Sequence, residues 1–360
     1  MHVQHLLYEP RRAGISQHVL SVVRGLPDAR HSVLLSAGLA GVADELRALG
    51  CAVEEVAIGS RFVPRAAVGE LPRRIRAAGA DVVHLHNVHT GTFGSVAARL
   101  GGARRVVFTP QTLDLRRRWL RPAFLAALRR LSPQHAAWIA VNRAQADEMR
   151  GLHSRPERVH WIPNAAPPPP AHVDRAAARA RLGLPVEAFV FACVGRLVPQ
   201  KDPLTLAAAA RALPPEVQLV FAGEGPLSNE VAVETAGLKN VRQLGFVSPV
   251  DDVYAAADAV VLPSRWEGLP YAALEAFSHA RPVIAARIDG TVDLVRDGET
   301  GLTFPPGDVR ALGEALRELA GDLERTRALG EAARARVETE FSEAEAGRRL
   351  GAVYRAVCES

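Results

Sequence analysis

Two carboxylates and two cations stand out for the chemistry they could do together. Glu267 and Glu275 lie in the stretch 259–286, "AVVLPSRWEGLPYAALEAFSHARPVIAA". An apolar run, a short polar loop and a segment opening after Pro270 read there as strand, loop and helix, with a further strand over 282–286. On one continuous helix the spacing of the two glutamates would turn them about 80° apart. The loop lifts that constraint. Glu267 then hangs at the C-terminal edge of the strand, and Glu275 sits a turn and a half into the helix, whose side chains lean back toward its N-terminus. Both carboxylates can reach one mouth, where free backbone N–H groups and partial positive charge suit a phosphate. Ligands of open α/β sheets settle at such strand ends. The competing reading is a solvated pair of glutamates beside an ordinary turn.

The cations are Arg196 and Lys201, in "VGRLVPQKDP". They follow a strand, on a loop that Gly195 allows to turn tightly. Such a loop can fold both toward one diphosphate, the arginine as a fork and the lysine as a point charge. Two solvated surface cations are the alternative. "FAGEGP" (221–226) is a second glycine-bearing turn after a strand, yet no dinucleotide fingerprint with its distant acid accompanies it. In "HLHNVHTG", strand alternation places His84 and His86 on one face, with His89 in the loop beyond. A histidine pair could ligate a metal, but no carboxylate joins it in the run, and no metal site is assigned. Asp251 and Asp252 precede a helix and read as its cap.

The elements that must position these groups alternate along the whole chain. Short β-rich runs and amphipathic stretches follow one another, the pattern of an α/β protein with parallel sheets. Strands are expected over 3–8, 32–36, 52–56, 81–87, 105–109, 136–141 and 159–162, with helices between them. After four consecutive prolines (167–170), read as a stiff spacer, strands follow over 189–194, 218–222, 241–244, 259–262 and 282–286. Residues 291–308 read as turn-rich, and three helices close the chain. The 360 residues are more than one core normally serves, so two domains are expected, 1–166 and 167–342, with 343–360 as a closing helix.

These motifs together resemble the retaining glycosyltransferases of family 4, strongly over 190–305 and loosely before 165. The resemblance implies the GT-B architecture: two Rossmann-like domains facing a central cleft, with the last helix crossing back to the first domain. It implies that Arg196 and Lys201 hold a donor's pyrophosphate and that Glu275 takes the ribose hydroxyls. Glu267, with the backbone of Gly268 and Leu269, would face the sugar. Phe246, in "LGFV", would lie at the nucleotide base, Gly14 in a loop approaching the donor phosphates, and His86 near the reacting sugar. The usual Gly-Gly before the first helix is Ala13-Gly14 here, and "TPQT" puts Gln111 where relatives often carry histidine. The implied reaction moves a hexose-type sugar from a nucleotide-diphosphate sugar to an acceptor hydroxyl on a glycan, glycolipid or small molecule. Retention of configuration is implied, with no cofactor and no metal, since the chain carries no DxD-type cluster in a matching place. A GT-B nucleotide-sugar 2-epimerase-like isomerase and a non-catalytic sugar-nucleotide binder are the alternatives.

Charge and composition bound the partners. Net charge is +5, and residues 104–130 hold eight arginines against one acid, Asp114. No nucleic-acid motif accompanies them. Residues 114–131, with Trp119, Leu120 and Phe124 among arginines, admit two readings: a helix lying on an anionic membrane surface, or one packed by its apolar stripe on a sheet. The absence of a leader-like start, of a spanning apolar run and of a cysteine framework reads as a cytoplasmic protein.

Overall fold

The structure is a computed structural model and describes residues 1–9, 14–56, 68–112, 126, 129–168 and 174–359. The chain divides into two compact units, Met1–Ala165 with Glu343–Ser360, and Ala166–Ser342. Each is built on one parallel sheet.

In the first unit the strands are β1 (His2–Leu7), β2 (Arg30–Ser36), β3 (Ala52–Val56), β4 (Val82–His86), β5 (Val106–Thr109), β6 (Ala137–Ala140) and β7 (Val159–Trp161). Their spatial order is β3-β2-β1-β4-β5-β6-β7. The second unit has β8 (Val190–Val194), β9 (Gln218–Ala222), β10 (Val241–Gly245), β11 (Ala259–Leu262), β12 (Val283–Ala286) and β13 (Gly301–Phe304). Their order is β10-β9-β8-β11-β12-β13. In both sheets the order reverses beside the first strand, between β1 and β4 and between β8 and β11. Such a reversal opens a crevice at the carboxyl ends of the strands.

The sequence folds this way because the central strands are made to be buried on both faces. "VVHLH" of β4, "AVVL" of β11 and "VIAA" of β12 are buried throughout, as a sheet covered by helices on both sides requires. The edges are polar instead. "AVEEV" of β3 and "VRQLG" of β10 leave most of their residues partly or fully exposed, which discourages pairing with another chain.

The closing helix, Glu343–Glu359, is part of the first unit and lies on the helix Gly14–Gly25. Arg24 forks onto the Glu343 carboxylate at 2.9 and 2.7 Å. Gly347 makes the approach feasible: a Cβ there would stand 1.9 Å from the Gly25 carbonyl oxygen. At the far end Arg105 donates to the carbonyls of Val357 and Cys358 at 2.7 and 2.8 Å, satisfying the helix's last acceptors.

Several elements differ from expectation. Residues 175–181 form a helix not among those expected, begun by Asp174, whose carboxylate accepts from the Ala176 and Ala177 N–H groups. A short helix, Asp289–Val292, overlaps the start of the turn-rich segment, which also holds the strand β13. That strand has four residues and opens on Gly301, where a Cβ would stand 2.0 Å from the Val283 oxygen, so its period-two signal is weak. Asp251 and Asp252 are not caps. They lie inside the first turn of the helix Asp251–Ala256, where Val250 is the N-cap. Asp252 pairs with Arg181 at 2.6 Å, and Asp251 lies 3.3 Å from His279 Nε2. The basic stretch 114–131 falls almost wholly outside the described residues. Among the described residues no helix is long and apolar enough to cross a membrane.

Candidate active site at the β8–β11 crevice

The loops leaving β8, β9 and β11 meet at the reversal point of the second sheet, and glycines let them meet closely. Gly195 has φ +141° and Gly223 φ +143°. A Cβ on Gly223 would stand 2.0 Å from the Gly195 oxygen. Two bonds then join the turns: Gly195 N–H donates to the Ala222 carbonyl at 3.0 Å, and Leu197 N–H to the Glu224 carbonyl at 3.0 Å. The "FAGEGP" turn therefore supports the loop carrying Arg196. On the other side Gly290 does the same for the Glu267 loop, since a Cβ there would stand 2.5 Å from the Gly268 oxygen. A small recess between the β8 and β11 loops is lined by Gly195, Arg196, Lys201, Leu262 and Ser264 among others.

Lys201 and Glu267 are sixty-six positions apart in sequence and bonded in space. The Lys201 ammonium donates to Glu267 Oε1 at 2.6 Å. Ser264 Oγ donates to the same oxygen at 2.7 Å, and Gln200 Nε2 reaches Oε2 at 3.4 Å. The Glu267 side chain is 6% exposed, so these donors replace water around its charge. Asp202, in the left-handed region at φ +46°, accepts from Thr205 at 2.8 Å and pairs with Arg265 at 3.0 Å, bracing the loop between lysine and helix. Arg196 is exposed, and among the described residues its guanidinium has no hydrogen-bond partner. The crevice thus offers one unpaired cation beside a bonded lysine–carboxylate pair.

Glu275 belongs to the helix Tyr271–Ser278 and is held from a different direction. Tyr254, buried in the preceding helix, donates its phenol proton to Glu275 Oε2 at 2.6 Å. Pro270 occupies the N-cap position of this helix rather than its first turn. Gly268 and Leu269 are buried in the loop before it. Phe246, following the left-handed Gly245 at the end of β10, is 77% exposed.

Gly14 and His86 lie in the other unit. Gly14 opens the first helix, while Ala13 and the loop before it are outside the described residues. His86 shares a face with His84, yet both rings are wholly buried. His86 ends a chain of imidazoles. His31 Nε2 must donate to the Leu26 carbonyl at 3.0 Å, so His31 Nδ1 accepts from His5 Nε2 at 3.0 Å. His5 Nδ1 in turn accepts from His86 Nε2 at 3.0 Å, which leaves His86 Nδ1 a buried lone pair without a partner. His84 bonds through Nδ1 with the Tyr354 hydroxyl at 2.6 Å and through Nε2 with the Thr109 hydroxyl at 2.7 Å. Ligating nitrogens of His5, His84 and His86 come within 4.8 Å of one another. Five of those six nitrogens already serve hydrogen bonds, and the sixth is the unpartnered His86 Nδ1. Sequence spacing gives no sign of His5 in this network, because it sits on another strand, eighty-one positions from His86.

Two family models match the chain: "Glycosyl transferases group 1" over residues 188–322 and "Glycosyltransferase Family 4" over 12–168. An alpha-maltose-1-phosphate synthase of Mycolicibacterium smegmatis is 31% identical over 314 residues, 77% of this chain and 79% of that one. The chain belongs to the family 4 (group 1) glycosyltransferases. It is a glycosyltransferase of GT-B type. A UDP-Gal:alpha-D-GlcNAc-diphosphoundecaprenol alpha-1,3-galactosyltransferase of Escherichia coli is 31% identical over 264 residues, 67% of each chain. HepE of Anabaena, solved in complex with UDP and glucose, has the same fold, with a TM-score of 0.86 over 99% of this glycosyltransferase and all of HepE, at 20% identity. Sucrose-phosphate synthase from Thermosynechococcus elongatus matches with a TM-score of 0.79 over 99% and 98% of the two chains, at 21% identity. These relatives give no support to the isomerase or the non-catalytic binder.

Proposed function

We propose that the protein is a retaining, metal-independent glycosyltransferase that moves a hexose-type sugar from a nucleotide-diphosphate sugar to an acceptor hydroxyl. The observation that carries this is the unpaired Arg196 guanidinium beside the Lys201–Glu267 pair at the β8–β11 crevice. Breaking the bond between an anomeric carbon and a diphosphate builds negative charge on the β-phosphate. Arg196 and the Lys201 ammonium oppose that charge as fixed cations, the role divalent ions play elsewhere. Glu267 lies against Lys201, so a sugar joined to that phosphate meets the carboxylate and the backbone of Gly268 and Leu269. Glu275 accepts the ribose hydroxyls, and the base lies toward Phe246. A relative named for UDP-Gal and a HepE structure solved with UDP-glucose support a nucleotide-sugar donor, and the first unit then holds the acceptor. Front-face attack by the acceptor hydroxyl accounts for retention without a covalent step.

The test is the reaction run in excess EDTA with an NMR assignment of the product. Turnover is expected to persist and the donor's anomeric configuration to be kept. Loss of activity restored by magnesium, or an inverted anomer, would sink the proposal.

A further inference from the structure

The carboxylate of Glu275 is supported by groups that no donor contact requires. Tyr254 has no exposed surface, and its phenol stands 2.6 Å from Glu275 Oε2. A carboxylate can only accept here, so the phenol is the donor and the bond is charge-assisted. Burial, and after it the Glu275 charge, push the Tyr254 phenol well above its ordinary range, so it stays protonated wherever the protein is folded. Tyr254 is itself fixed on two sides. The His279 ring lies 5.3 Å from its ring at an interplanar angle of 35°. Arg281 Nε donates to its backbone carbonyl at 3.0 Å and a second guanidinium nitrogen to that of Ala255 at 3.2 Å. His279 also bonds through Nδ1 to the Glu275 carbonyl oxygen at 2.9 Å, tying the glutamate's backbone to the same cluster.

We propose that Tyr254 is a positioning residue for nucleoside recognition: by holding one oxygen of Glu275, it fixes the plane in which the carboxylate accepts two neighbouring hydroxyls of a ribose. This rests on the reading of Glu275 given above. A glutamate side chain has three rotatable torsions, and a donor clamped at Oε2 removes the outer ones before any ligand arrives. Two hydroxyls on adjacent carbons need acceptors at a fixed separation and tilt, which a carboxylate held in one plane supplies. The phenol therefore acts on affinity for the diol and not on affinity for the diphosphate, whose partners are on the other side of the crevice.

Isothermal titration of the full-length protein tests this, using UDP, GDP or ADP, whichever binds tightest, and its 2′,3′-dideoxy counterpart. In the unaltered protein the dideoxy ligand is expected to bind about a hundredfold more weakly, the scale of two charge-assisted hydrogen bonds. Tyr254→Phe should weaken the ribose form about tenfold and leave the dideoxy form within twofold, so that discrimination falls to about tenfold. Equal weakening of both ligands would overturn the proposal and reduce Tyr254 to a support of the fold. Unchanged discrimination in Tyr254→Phe, with discrimination lost in Glu275→Ala, would overturn it while leaving the Glu275 reading intact. Discrimination that survives Glu275→Ala would remove that reading and the proposal with it. Should Tyr254→Phe not fold, Glu275→Asp keeps the charge but shortens the side chain, so it cannot meet phenol and ribose together. The same drop in discrimination is expected there, and full retention overturns the proposal.

Discussion

Arg196 and Lys201 share one loop, and only the lysine is bonded to a carboxylate. Arg196 projects from the loop without a partner among the described residues, so its removal takes away an anion contact and nothing from the fold. Arg196→Ala should lower kcat/KM about a hundredfold, the scale for one preorganised donor to developing charge. Its unfolding free energy should stay within about 0.5 kcal/mol of the parent. Lys201 is 22% exposed and bonded to a carboxylate only 6% exposed. Lys201→Ala therefore leaves that charge with Ser264 and Gln200 alone and should also destabilise by roughly 1–3 kcal/mol. Urea melts and steady-state rates on both variants check this, and equal stability losses would contradict the asymmetry. The sequence shows each of these residues through loop spacing, which is local. It does not show that Lys201 meets Glu267 or that Tyr254 meets Glu275, because the first pair joins loops after different strands and the second joins two helices.

At the scale of elements, the first sheet carries a titratable network through its centre. His5 on β1, His31 on β2, His84 and His86 on β4, and His18 on the first helix are all buried. Burial, and then for His5, His84 and His86 the neighbouring imidazoles, hold those three well below the ordinary histidine range. His18 is lowered by burial to about 4, and His31 is lowered by the same cause. The unfolded chain takes up these protons near pH 6.5 while the folded one does not. Stability is thus full above about pH 6.5 and falls as pH drops, down to about pH 4 for His18. Each such histidine adds about 1.4 kcal/mol per pH unit to the slope. Against a typical stability of about 5–15 kcal/mol, the first unit should be measurably less stable at pH 5.5 than at pH 7.5. Chemical unfolding at pH 7.5, 6.5 and 5.5 reads the slope, and a flat profile between 6.5 and 5.5 would refute it. Central strands and long helices are legible because their apolar runs are continuous. The helix Arg175–Arg181 and β13 are not, being short and alanine-rich in one case and glycine-headed in the other.

For the whole molecule the telling fact is that its last helix completes a unit whose other residues end nearly two hundred positions earlier. Leu350, Val353, Tyr354 and Val357 are buried in one cluster with Val3 of β1 and Val82 of β4. Burying each such side chain is worth roughly 1.5–3 kcal/mol, so the four together match the stability of a whole domain. The Arg24–Glu343 fork and the Tyr354–His84 bond are lost with them. Deleting residues 343–359 should therefore unfold the first unit and spare the second, although the deleted segment directly follows the second in sequence. Amide hydrogen exchange distinguishes the two: protection should vanish in β1 and β4 and persist in β8 and β11. Gly347→Val should do the same without shortening the chain, because its side chain would meet the Gly25 carbonyl, 1.9 Å from where a Cβ would stand. A truncated protein with β1 and β4 still protected would show that the first sheet holds its core without this helix.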